Sequence, residues 1–185
     1  PMARSVSDIA LLDAVITRED NLVEVPPIDS VRLGVPDGFF FEELDSGLAT
    51  LVSDAIQRLR DSGVTLINVP VKNMGALYRA ASFPITLYET IPMMEAYLSE
   101  NGMSYTFADV VEGAASDDVI EILVDLCGSD AITREAYLQA MNVGRPALQS
   151  IYGNLFSMYR LDGIVFPATT MPALPIGTDE IKVDG

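Results

Sequence analysis

The side chains that ordinarily carry enzymatic chemistry are scarce in this chain. It contains no histidine, so no Ser-His-Asp triad, Cys-His dyad or His-ligated metal can be assembled from its residues. Its lysines are Lys72 and Lys182. Lys72 follows an apolar run, where desolvation would make it a base; a solvated lysine at a strand end is the simpler expectation. Lys182, near the end of the chain, is the weaker candidate. Asp117 and Asp118 are adjacent, and adjacent residues on a helix do not face one another, so they are expected to be first-turn acids rather than a metal or acid pair. Glu89 and Glu95, separated by Pro92, are expected on a solvated face. Cys127 ends the apolar run Ile122-Leu123-Val124-Asp125-Leu126-Cys127 and is expected to be a buried, inert thiol. No catalytic residue, metal ligand or cofactor is assigned within the chain.

Three residues could instead contact a substrate. Thr169 and Thr170 follow the apolar run Gly163-Ile164-Val165-Phe166-Pro167, at the strand end where α/β sheets tend to bind ligands. Their hydroxyls could equally cap the backbone of a Pro-rich loop. Arg145 precedes Pro146 at an expected helix break; it could hold a polar group of a substrate, or pair with a helix carbonyl or a carboxylate. Tyr152 and Phe156 are expected in the core, and Met93-Met94 in the core or a pocket wall.

The elements that would position these residues can be read from periodicity. Ser5-Val6-Ser7-Asp8 is a capping-box-like helix start, and Ile9 to Ile16 follows as a short helix. Val31 to Val35, closed by Pro36, is a strand. Leu48, Leu51, Val52, Ala55, Ile56 and Leu59 recur at helical spacing, with Asp45 or Ser46 as the cap and Gly63 as the stop. Val64 to Val69 is a second strand, which makes a parallel βαβ unit with a right-handed crossover. From Lys72 to Leu161 the pattern is nearly all helix, with breaks expected at Pro84, Pro92, Asn101-Gly102, Gly113, Gly128-Ser129 and Gly144-Arg145-Pro146. Ile164 to Phe166 is a third strand in the same sheet. The expected fold is α/β, with a small mixed sheet and a large helical insertion: a βαβ part over 1–71, a helical region over 72–161, and a late strand with a Thr/Pro loop over 162–185.

Composition narrows the partners. The chain has 185 residues, with 11 Lys+Arg against 27 Asp+Glu and a net charge of -16. That field repels phosphates and anionic lipid headgroups, so neither nucleic acid nor a membrane surface is an expected partner. A single cysteine and the lack of a recognisable secretion signal favour a reducing, cytoplasmic setting. No apolar stretch reaches the ~20 residues of a membrane-spanning helix. Three strands offer little sheet for so many apolar helix faces, and mean hydropathy is +0.28. Part of the covering surface is therefore expected outside these residues, and the chain is expected to self-associate through exposed apolar area as a homo-oligomer.

Two motifs carry a family resemblance. Pro1-Met2-Ala3-Arg4-Ser5-Val6-Ser7-Asp8-Ile9-Ala10-Leu11-Leu12 resembles the stretch that follows the active-site core of amidase-signature amide hydrolases. Leu161-Asp162-Gly163-Ile164-Val165-Phe166-Pro167-Ala168-Thr169-Thr170-Met171-Pro172 is similar to that family's late strand and Thr/Pro loop. Within the family, Phe83-Pro84-Ile85-Thr86-Leu87-Tyr88-Glu89, Ala114 to Val119 and Arg145-Pro146 with Tyr152 and Phe156 resemble the indoleacetamide and mandelamide hydrolase group. The resemblance implies a partial amidase-signature fold and an arylacetamide-type primary amide as substrate. It also implies a serine nucleophile activated by a lysine through a bridging serine held by a cis peptide, all upstream of the Pro1-to-Arg4 motif. The chain is accordingly expected to be an inactive piece of such an enzyme, beginning within one motif and stopping after Ile181-Lys182-Val183-Asp184-Gly185. A natural non-catalytic binding or scaffold module on the same fold is the alternative. A free-standing enzyme working through Lys72 or carboxylates has no constellation behind it.

Overall fold

The computed structural model describes residues 2–18, 25–129 and 131–177. Strand β1 (Arg32–Pro36) leads through a 3-10 turn at Gly38–Phe40 into helix α2 (Ser46–Asp61) and strand β2 (Thr65–Val69). Helix α1 (Val6–Thr17) precedes them. Both caps match expectation. The Ser5 hydroxyl accepts the Asp8 N–H at 3.2 Å, and the Asp45 carboxylate accepts the Leu48 N–H at 3.0 Å. Each supplies a partner for a backbone donor that the first helical turn leaves free.

The three strands share one sheet in the order β2-β1-β3, where β3 is Gly163–Ile164. β1 runs parallel to β2, with Leu33 opposite Leu66 and Val35 opposite Asn68. It also runs parallel to β3, with Gly34 opposite Ile164. The sheet was expected to be mixed; in the described residues every pairing is parallel. β2 and β3 are each reached by a helical crossover, which returns the chain to the same end of the sheet. Arg32 fastens the start of β1: its backbone N–H donates to the Asp162 carboxylate at 2.8 Å. Its guanidinium donates to the carbonyls of Arg160 at 3.1 Å and Tyr159 at 3.0 Å.

The helical region departs from the sequence expectation at its prolines. Helix α3 runs unbroken over Met74–Glu100, through both Pro84 and Pro92. An interior proline removes one i to i−4 hydrogen bond and costs about 3 kcal/mol, so packing must offset it. Shorter helices follow: α4 (Phe107–Gly113), α5 (Asp117–Asp125) and α6 (Arg134–Gln139). The break expected at Gly144-Arg145-Pro146 is absent. A π-helical turn at Ala140–Gly144 joins α6 to helix α7 (Arg145–Tyr159) as one continuous rod. In that turn the Arg145 N–H reaches the Ala140 carbonyl, five residues back, and this slipped register admits Pro146 without ending the helix.

The packed core lies on one face of the sheet. Val69, Val71, Met74, Leu155 and Leu161 are buried together, with Phe39, Phe40 and Ile151 against them. Elsewhere apolar surface is uncovered. α1 has no buried residue although it carries Leu11, Leu12, Val15 and Ile16. α2 has none either, and Leu51 on its apolar face is exposed. Tyr152 and Phe156, expected in the core, are also exposed. The accessible surface totals 13738 Å², against about 8,700 Å² for a self-contained protein of this mass. Setting aside roughly 2,600 Å² for the other residues does not close that gap.

Candidate functional site

The carboxyl ends of the three strands meet at one edge of the sheet, the edge where parallel α/β sheets bind ligands. Two hydrogen bonds set this edge. The Asp37 N–H donates to the Val69 carbonyl at 3.2 Å, and the Asp37 carboxylate accepts the Val71 N–H at 2.7 Å. They tie the exit of β1 to the exit of β2 and aim the two following segments side by side.

Aromatic rings from those segments form a string. Phe166, just past β3, lies 4.7 Å from Phe40, centroid to centroid. Phe40 meets Phe39 edge-on at 5.4 Å. Phe39 is 6.1 Å from Tyr78 in the first turns of α3, and Tyr78 is 6.1 Å from Phe83. Gly75 admits the Phe39 ring: a Cβ there would sit 2.9 Å from its Cδ2. Phe39 and Phe40 pack on the core, whereas Tyr78 is 43%, Phe166 46% and Phe83 54% exposed. The outer rings thus offer an accessible aromatic surface at the sheet edge, suited to stacking or edge contact with another ring.

The Thr/Pro loop borders this surface. The Thr169 hydroxyl donates to the Met171 carbonyl at 3.0 Å and accepts the Met171 N–H at 3.4 Å, so that side chain braces its own loop. The Thr170 carbonyl accepts the Asp45 N–H at 2.8 Å, which pins the loop to the start of α2. The Thr170 side chain makes no hydrogen bond among the described residues.

Arg145 stands apart from the threonines but at the same end of the molecule. α7 runs antiparallel to the strands, because its last carbonyls meet Arg32 at the start of β1. Ile151 and Leu155 are level with Val71, which puts Arg145 about 9 Å beyond Ile151 along the axis, past the sheet edge. There it lines a groove of about 270 Å³ with Ala81, Ser82, Ile85, Thr86 and Leu148.

Beside Arg145 is a cluster that sequence reasoning missed. The Tyr137 hydroxyl donates to Glu89 Oε1 at 2.7 Å, and Tyr137 stacks on Tyr88 at 4.3 Å and 13°. Glu89 is half-buried rather than on a solvated face. The bond to Glu89 holds the Tyr137 phenol above its ordinary value of 10.0; desolvation adds to this and Arg145 opposes it.

The remaining chemical candidates are unremarkable. Lys72 is exposed at the end of β2. Asp118 accepts the Ser116 hydroxyl, which lowers its pKa, with the Val119 N–H adding to the effect. No metal-binding group of acids and cysteine occurs among the described residues. Cys127 is exposed, not buried as expected: it follows α5, on which Val119, Ile122 and Val124 are exposed as well. Lys182 lies outside the described residues.

Comparison with known proteins places this edge in context. The model of the Amidase family matches residues 1–184. The chain belongs to the amidase family. It is 33% identical to an indoleacetamide hydrolase of Rhizobium radiobacter over 178 residues, covering 96% of this chain and 38% of that protein. It is 35% identical to a mandelamide hydrolase of Pseudomonas putida, covering 91% of this chain and 35% of that protein. The chain therefore spans well under half the length of these amidase-family relatives. Its fold matches the crystal structure of an amidase with a TM-score of 0.72 at 23% identity, over 98% of this chain and 37% of the other. The resemblance found in the terminal motifs is thus correct at family level, and the α/β class with its small sheet and helical insertion agrees with an amidase fold.

Of the three substrate-contact candidates, the structure groups Thr169 and Thr170 with the aromatic string and sets Arg145 in a separate groove. No sequence spacing could have revealed the string, because its rings come from three segments separated by tens of residues. The Glu89–Tyr137 pair was hidden by treating Pro92 as a helix end.

Proposed function

We propose that this chain forms the substrate-facing sheet edge of an amide hydrolase that converts an arylacetamide-type primary amide to its acid and ammonia. The observation that carries this reading is the aromatic string at the carboxyl edge of the sheet, beside the Thr169–Thr170 loop. An aryl ring bonded through a short arm to an amide would lie against Phe166 and its neighbours, with the Thr170 hydroxyl beside the polar end. The names of the two relatives, indoleacetamide hydrolase and mandelamide hydrolase, describe substrates of that shape.

The nucleophile, bridging serine and lysine base are proposed to come from parts of the protein beyond these residues. Within the chain, Lys72 is exposed and has no hydroxyl or carboxylate hydrogen bonded to it among the described residues. The role left to this portion is ring binding and orientation, which acts through proximity rather than through bond chemistry.

The test is ammonia release by the protein of the full reading frame, with indole-3-acetamide and acetamide compared. The expected result is a strong preference for the aryl substrate. Phe166→Ala should lower kcat/KM for the aryl amide by roughly tenfold and leave acetamide unchanged. Equal losses on both substrates would sink the ring-binding role. No ammonia from any amide would favour a binding or scaffold module instead.

A further inference from the structure

The crossing of α3 and α7 has features that ring binding does not use. Both helices depart from regular geometry at the same place. On α3, Pro84 deprives the Ala80 carbonyl of its usual donor four residues on. On the other rod, the π-turn ends at Gly144, where a Cβ would lie 3.0 Å from Ala81 Cβ and 3.3 Å from that Ala80 carbonyl. The backbones therefore touch, and the next residue, Arg145, is brought against α3. Single π-turns inside helices recur at functional sites.

The groove so formed has one cationic group, two hydroxyls and apolar walls. Ser82 and Thr86 supply the hydroxyls, and Ile85 and Leu148 the walls. Arg145 is exposed and has neither hydrogen bond nor ion pair among the described residues, in a chain with 27 acidic side chains. Glu89, one turn further along α3, already accepts the Tyr137 hydroxyl. Tyr78, Ser82 and Ile85 follow at i, i+4 and i+7 on α3, so the groove begins about 6 Å along the axis from the aromatic string.

We propose that this groove is a carboxylate subsite, in which Arg145 grips the acid product of amide hydrolysis and Ser82 and Thr86 donate to it. It rests on the proposed hydrolysis only for the identity of its ligand. The planar fork of a guanidinium matches the two oxygens of a carboxylate, whereas the neutral amide offers it no charge. The groove therefore separates acid from amide. The net charge of -16 otherwise disfavours anions over the whole surface.

Equilibrium titration of the full-length protein with phenylacetate, and with phenylacetamide as the neutral isostere, tests this without turnover. Arg145→Gln should weaken phenylacetate binding by roughly ten- to a hundredfold, the loss of a charge-assisted bond. Phenylacetamide binding should stay within twofold. Arg145→Lys should fall between, keeping the charge and losing the fork. A Ser82→Ala, Thr86→Val double variant, which leaves the charge in place, should weaken phenylacetate by a smaller factor. No saturable phenylacetate binding by the unaltered protein would overturn the proposal, as would equal weakening of both ligands by Arg145→Gln. Arg145-dependent phenylacetate binding in a protein that releases no ammonia would uphold the subsite and sink the hydrolytic reading.

Discussion

The face of the sheet and the N-terminal helix are similarly apolar, yet one is covered and the other is bare. Val69, Val71, Met74, Leu155 and Leu161 close into a core, while the leucines, valines and isoleucines of α1 are all exposed. The difference does not lie in the side chains. It lies in whether a second layer exists within the chain. A helix that is apolar over much of its circumference is stable when surrounded, and α1 has the composition of such a helix without the surroundings. The sheet face acquires its second layer from α7 because β3 returns the chain across it.

That contrast can be broken from the covered side first. Met74 is 2% exposed in the core, and Met74→Ala should cost about 2–5 kcal/mol, read as a lower midpoint of urea unfolding. A loss below about 1 kcal/mol would mean that the sheet face is not the stabilising core. Next comes the α3–α7 crossing. Gly144→Ala puts a methyl 3.0 Å from Ala81 Cβ and 3.2 Å from its Cα. Backbone on both sides limits relief, so about 1–3 kcal/mol should be lost.

A smaller effect belongs to the half-covered zone between these regions. The folded pKa of Tyr137 is raised, chiefly by its bond to Glu89. A raised folded value means that its contribution to stability is complete below the unfolded phenol value and is lost as pH rises through the folded one. Absorbance titration of the phenols should show one group ionising late, and Glu89→Gln should bring it earlier. An unchanged titration would remove the Glu89 bond from the account.

The smallest folding effect is expected on the bare side. Leu11→Ser with Val15→Ser should change the stability of the 185-residue chain by no more than about 0.5 kcal/mol, since both side chains are exposed. The same change should reduce self-association in sedimentation velocity. A stability loss as large as that of Met74→Ala would show that α1 is covered after all.

The same contrast explains what was legible in the sequence. Ser5 and Asp45 as caps, the βαβ unit and the third strand follow from local rules that hold wherever the chain is placed. Pro84, Pro92 and the Gly144–Pro146 segment were misread as breaks because tertiary packing outweighed a local cost of a few kcal/mol. Cys127, Tyr152 and Phe156 were assigned to a core because apolar neighbours usually imply burial. Among the described residues no layer covers them, so pattern and burial part company. Thr169, Thr170 and Arg145 were singled out by chemistry and position, but the rings and hydroxyls around them were not, because distant segments assemble them.

The order β2-β1-β3 has a consequence for synthesis on the ribosome. β1 and β2 can pair as soon as the βαβ unit has emerged, but the second edge of β1 must wait for Asp162, 130 residues after Arg32. At typical elongation rates that wait lasts about 6 to 26 seconds. Throughout it, the hydrogen-bonding groups of β1 face open water, as on any unpaired edge strand. The nascent chain therefore presents a template for foreign strands for longer than most small domains take to fold.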